Sequence, residues 1–131
     1  MPIFARVAVA VALAFAFAAP TATAGDSCSS ACERRVKAKA LERHYQLVWR
    51  AAPAGTRAHL RRIAACESTN NHRAVSRDGL YRGLLQFDYG TWATVGGHGD
   101  PAAATRWEQW ARGARLYRAR GPQPWPSCGR R

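Results

Sequence analysis

Residues 56–67 read Thr56-Arg57-Ala58-His59-Leu60-Arg61-Arg62-Ile63-Ala64-Ala65-Cys66-Glu67, and the register of this stretch decides the architecture. Leu60, Ile63, Ala64 and Glu67 stand at i, i+3, i+4 and i+7, which places all four on one helical face. Thr56 is the expected N-cap, and the helix is expected to run through Glu67. Its apolar stripe therefore ends in a carboxylate that follows a cysteine and opens a polar stretch, 68–83. A carboxylic acid partly withdrawn from water holds its proton more tightly, because burial disfavours the charged form. Such a group can hand that proton to a leaving oxygen, as cleavage of a glycosidic bond requires. The same spacing also fits a helix-terminal glutamate that faces solvent or pairs with an arginine.

Working outward, Gly83-Leu84-Leu85-Gln86-Phe87 is a short apolar run after a glycine-bearing loop. Asp88 is placed to cap a short helix, Tyr89 to Val95, stopped by Gly96-Gly97. Asp100-Pro101 reads as a cap followed by proline at the first helical position. Thr105 and Glu108 form a capping box for a longer helix, 106–119, with Trp110, Ala111, Ala114 and Tyr117 on its inner face. Gly121-Pro122 closes that helix. Before residue 56, Glu33 to Ala52 reads as a basic helix ended by Pro53-Ala54-Gly55. Val36, Leu41, Tyr45, Val48 and Trp49 form its apolar stripe. At most two or three short strands are expected, all within 75–87.

The chain has 131 residues, a formal charge of +12 and four cysteines. One domain of ordinary size fits that length, and a multidomain enzyme does not. The charge implies attraction to polyanions. Met1 to Arg6 carries one positive charge, Val7 to Ala19 is unbroken apolar sequence, and Ala22-Thr23-Ala24 has the small residues a signal peptidase reads. This predicts a secretory signal peptide, residues 1–24, cleaved after Ala24. The apolar run is shorter than the roughly 20 residues a bilayer span needs. No later segment is expected to span a membrane, so no membrane contact is expected after cleavage. An even cysteine count in an exported chain favours disulfides over zinc, with three pairings open. His44, His59, His72 and His98 fall on different elements, so neither a metal nor a cofactor is expected.

Residues 60–129 resemble the transglycosylase-like domain of the resuscitation-promoting factors of actinobacteria. The matching strings are Ile63-Ala64-Ala65-Cys66-Glu67-Ser68 with Asn71, then Gly79 to Phe87, Thr91-Trp92, and Val95-Gly96-Gly97. Gly99-Asp100-Pro101-Ala102, Glu108-Gln109, Leu116-Tyr117 and Trp125-Pro126-Ser127-Cys128-Gly129 complete the order. The resemblance implies an α+β, mainly α fold: a compact lysozyme-like domain at 56–131, preceded by a basic helical segment at 25–55. It implies a Cys66–Cys128 disulfide, which leaves Cys28 and Cys32 to bridge to each other or to link two chains.

It also implies a secreted enzyme that cleaves the β-1,4 bond between N-acetylmuramic acid and N-acetylglucosamine of peptidoglycan, with Glu67 as catalytic acid. Asp88 and Asp100 read as caps and Asp78 as a turn residue, so no second carboxylate stands out. A single acid that also serves as base fits a lytic transglycosylase; attack by water would make it a muramidase. Gln86 and Asn71 are candidates to bind acetamido or hydroxyl groups of the substrate. Tyr81, Thr91 and Trp92 are candidates to line the groove, with core packing the alternative for Trp92. Trp107, Trp110 and Trp125 read as core. Anionic wall polymers are expected partners by charge, specific nucleic-acid binding is not, and the chain is expected to act as a monomer. A non-catalytic wall-binding protein on the same fold is the alternative function.

Overall fold

The computed structural model describes residues 29–130. The expected signal peptide and Cys28 lie outside the described residues. Cys32 is disulfide-bonded.

Helix α1 spans Ser30–Ala51. The Ser29 hydroxyl accepts from the Cys32 N–H at 3.4 Å, which caps its start. Ala52 is extended, since the residue before a proline is pushed out of the helical region. Helix α2 spans Ala54–Ser68 with Pro53 at its N-cap, three residues before the expected cap Thr56. Proline pre-sets the backbone angle that opens a helix, and Pro53 O accepts from the Arg57 N–H at 3.0 Å. The Arg57 guanidinium donates to Arg50 O and Ala52 O, so it satisfies carbonyls left open where α1 ends. Asp88 caps α3, Tyr89–Thr94, by accepting from Thr91 N–H at 2.8 Å. Thr105 caps α4, Arg106–Arg120, by accepting from Glu108 N–H at 3.2 Å. The chain ends in a 3-10 turn, Cys128–Arg130.

The expected strands do not form, so the described residues are helical rather than α+β. The segment 74–87 contains only two isolated bridges, Val75 with Arg82 and Arg82 with Phe87. Each reverses after one residue pair: Ser76 N–H donates to Tyr81 O at 2.8 Å, and Arg82 and Phe87 exchange two bonds of 2.9 Å. Gly79, Gly83 and Gln86 all have positive φ, which curls the backbone before a ladder can extend. Asp100, expected to open a helix, caps a turn at Ala102 and receives both arms of Arg82, at 2.6 and 2.7 Å.

The core is built from Leu60 and Ile63 of α2, Leu84 and Leu85, Trp92 of α3 and Leu116 of α4, all at most 2% exposed. Trp110 and Trp125 are buried with them, and Trp107 packs against their edge, as expected. The α1 stripe is different from expectation. Its docked face is Glu42, Tyr45 and Trp49, which meet α4: Thr105 Oγ1 donates to Glu42 at 2.6 Å, Tyr45 donates to Glu108 at 3.1 Å, and Trp49 stacks on Trp110 at 4.6 Å. Val36, Leu41 and Val48 remain exposed. Periodicity located the apolar side of the helix, but α4 meets a neighbouring side, where these two hydrogen bonds and the ring stack are available.

Candidate active site

Glu67 lies in the last turn of α2, half-buried, on the same face as the buried Leu60, Ile63 and Ala64. Burial raises its carboxyl above the ordinary glutamate range. The negative end of the helix dipole acts in the same direction. Among the described residues it has no ion-pair partner, although the chain carries 20 basic residues.

Its neighbours anchor it on both sides. Cys66 is bridged to Cys128, 62 residues on, with Cα atoms 5.8 Å apart. The buried Ser68 hydroxyl lies 3.1 Å from Ala64 O and 2.8 Å from Leu84 O. That second contact joins the end of α2 to the 83–87 turn. Thr69 and Asn70 then adopt left-handed φ values of 52° and 63°. A threonine there is strained by about 1–2 kcal/mol relative to glycine, and three of the molecule's tightest features thus meet within four residues of Glu67.

The 83–87 turn is also held by Gln109 of α4, which is fully buried. Its Oε1 accepts from the Leu84 N–H at 2.6 Å, and its Nε2 donates to His72 O and Ala104 O at 2.9 and 3.0 Å. Trp125 donates its indole N–H to Leu85 O at 2.8 Å. Leu84 and Leu85 are therefore bound from α2, α4 and the C-terminal tail. A Cβ on Gly83 would lie 2.5 Å from Gln109 Oε1, so the turn requires glycine on space as well as on its φ of 80°. The sequence signal for Gln109 is its place beside the capping Glu108 and in the Glu108-Gln109 string of the family resemblance; nothing in the string tells of a buried amide. Replacing it with leucine leaves the Leu84 N–H and two carbonyls without this partner. The expected cost is about 1–3 kcal/mol, read as a lower melting temperature and faster amide exchange at Leu84.

The other sequence candidates separate. Gln86 has a φ of 51° and donates from Nε2 to Gly83 O at 2.8 Å, which leaves its Oε1 without a described donor. It stands two residues from Leu84, on the turn joined to Ser68. Asn71 is exposed, and its Oδ1 accepts from the Arg73 N–H at 2.9 Å in a local turn. Tyr81 is 48% exposed on the outer reversal. Thr91 is half-buried in the first turn of α3 beside Asp88. Trp92 is only 1% exposed and belongs to the core: its ring meets Phe87 edge-on at 5.1 Å, lies 5.2 Å from the Arg112 guanidinium and is covered by Gly97. No face of it is offered to a ligand, so the groove-lining expectation for Trp92 gives way to core packing. Asp78 accepts from Ser76 and Leu80 and holds a turn, as expected. Among the described residues no three His, Cys, Asp or Glu side chains converge to hold a metal ion.

Residues 54–128 match the family model of the transglycosylase-like domain. Similar curated proteins include resuscitation-promoting factor RpfC of Mycobacterium tuberculosis, 46% identical over 67 residues, which are 51% of this chain and 47% of that protein. Resuscitation-promoting factor RpfE of the same species is 44% identical over 69 residues, 53% of this chain and 40% of its own. Resuscitation-promoting factor Rpf of Micrococcus luteus is 36% identical over 70 residues, 53% and 31% of the two chains. The matched region spans less than half the length of each of these relatives.

Proposed function

The chain belongs to the transglycosylase-like domain family, and from that membership we propose that it is a secreted enzyme cleaving the β-1,4 bond between N-acetylmuramic acid and N-acetylglucosamine in peptidoglycan. The observation that carries the reading is Glu67: half-buried, protonated more readily than an ordinary glutamate, and without an ion pair among the described residues of a strongly basic chain. Arginine pairing would have held it charged. Left unpaired, it keeps its proton to higher pH than an ordinary glutamate and can act as an acid there.

In this reading the Glu67 carboxyl gives its proton to the bridging oxygen as the bond from that oxygen to the muramic anomeric carbon breaks. The resulting carboxylate then takes the proton of the muramic 6-hydroxyl, whose oxygen bonds to the anomeric carbon and closes a 1,6-anhydro ring. One carboxyl serves both steps, which fits a site where Asp78, Asp88 and Asp100 are engaged in turns, caps and an ion pair. Gln86, Asn71, Tyr81 and Thr91 are the proposed sugar-binding groups, while Trp92 belongs to the core. The proposed organisation is a signal peptide cleaved after Ala24, a basic helical segment at 25–55 and a lysozyme-like domain at 56–131. The setting is wall remodelling or resuscitation, with the wall glycan as partner and no cofactor.

Mass spectrometry of muropeptides released from purified peptidoglycan tests the reaction type. An anhydro end, lighter than a reducing end by one water, is expected; reducing ends alone would assign attack by water instead. The pH profile tests the acid. Because burial raises the Glu67 pKa, the proton donor persists above the ordinary glutamate range and is lost as pH rises through the raised value. The rate is expected to fall on that alkaline side, and a profile with no alkaline fall assignable to Glu67 would remove it from the role.

A further inference from the structure

The side of α1 that does not dock on α4 carries Val36, Leu41, Leu47 and Val48, exposed by 59, 51, 65 and 37%. At about 100° per residue they fall within an arc of roughly 140°, and Ala40, His44 and Ala51 fall within the same arc, which also holds the exposed charges Glu33 and Lys37 at its N-terminal end. Along one border of this face run Arg35, Lys39, Arg43 and Arg50, all exposed. At its other border Val48 and Ala51 continue into a groove of about 570 Å³ between the α1–α2 corner and α4, where Arg115 and Arg118 are exposed. None of these six basic side chains has an ion-pair partner among the described residues. From Ala40 to Ala51 an apolar strip, with Lys37 at its N-terminal end, is thus bordered by cations on both sides.

We propose that this face seats α1 in the plane of an anionic lipid bilayer, with its apolar side chains in the headgroup–acyl boundary and the bordering cations on acidic headgroups. A helix with one apolar face, a cationic border and low overall hydrophobicity is the form that lies on a membrane rather than crossing it. No described helix is long and apolar enough to cross. The expectation that membrane contact ends with signal cleavage is revised in this one respect. A second copy fits less well, since pairing these faces would bring the two sets of cations together. A wall polymer of sugars and phosphates complements the cations but gives the Leu41 and Leu47 side chains no apolar phase to enter. The groove lies at the start of α2 and Glu67 at its end, about 16 Å away along the helix axis, so seating α1 leaves that end of the molecule free.

Co-sedimentation of the exported chain, processed after Ala24, with phosphatidylglycerol or phosphatidylcholine vesicles tests the proposal. Removal of residues 1–24 matters because Val7–Ala19 would itself partition into lipid. Expected are binding to phosphatidylglycerol at least tenfold tighter than to phosphatidylcholine, weakening with salt, and a tenfold or greater loss for Leu41→Ser/Leu47→Ser at an unchanged melting temperature. Equal binding of that variant and the parent would reduce the effect to general charge attraction and overturn the proposal. So would absence of phosphatidylglycerol binding. A concentration-dependent dimer abolished by the same variant would assign the face to a second copy, and loss of retention on purified wall sacculi without vesicle binding would assign it to wall polymer. Either result also overturns it.

Discussion

Glu67→Gln is expected to lower muropeptide release from purified peptidoglycan by about 10²–10⁴-fold, the usual worth of a positioned proton donor. Glutamine keeps the volume and polarity of the side chain, so the last turn of α2 and the Ser68–Leu84 contact remain. Stability should move the other way. The folded-state pKa of Glu67 is raised by burial, so its contribution to stability is greatest below its unfolded pKa and is lost as pH rises through the folded value. Above its raised folded pKa the parent carries a partly buried charge that the glutamine variant does not. The variant should therefore melt no lower than the parent at pH values above that pKa, and any advantage should vanish in acid. Loss of activity with retained or improved melting separates catalysis from folding. Equal release by the two proteins would remove Glu67 from the catalytic role, and no release by either would leave binding without cleavage as the function.

Removing the Cys66–Cys128 bridge is expected to have the largest effect on stability. It closes a loop across 62 positions, from the catalytic-candidate helix to the C-terminal tail. In the chain-entropy description a loop of that length contributes about 4 kcal/mol, against a typical total of about 5–15 kcal/mol for a folded domain. Cys66→Ser/Cys128→Ser should lower the melting temperature by on the order of 15 °C or more. The double serine variant is a cleaner probe than reduction, because a reductant also opens the disulfide at Cys32. Activity should fall with the fold, since the bridge fixes the backbone beside Glu67 and retains Trp125, whose indole holds Leu85 O. A loss of only a few degrees would mean that tail packing through Trp125 and Gly129 suffices without the bridge.

These two sites were legible in the string to different degrees. Glu67 stands out locally as a carboxylate in register with Leu60, Ile63 and Ala64, while the resemblance implied its role; two of the four helix starts followed from capping residues, Asp88 and Thr105, and α1 begins at Ser30, three residues before the expected Glu33. Capping acts over three or four residues, so sequence carries it. The start of α2 was misplaced because Thr56 satisfies the same preference that Pro53 pre-empts. The strands expected in 75–87 are absent because positive φ at Gln86, a residue that seldom adopts it, completes a curl that composition does not announce.

By itself the sequence determined the helices, the family and the one carboxylate that ends an apolar stripe, since each depends on neighbours within a turn or on an ordered set of strings. Only the tertiary structure decided that Glu67 is without an ion pair among the described residues, that Gln109 and Ser68 hold Leu84 from two helices, and that Trp92 is core. It also decided which side of α1 meets α4, leaving Leu41 and Leu47 exposed. The physical reason is common to all of these: burial and pairing depend on which distant groups arrive at 3 Å, and that is set by packing rather than by period.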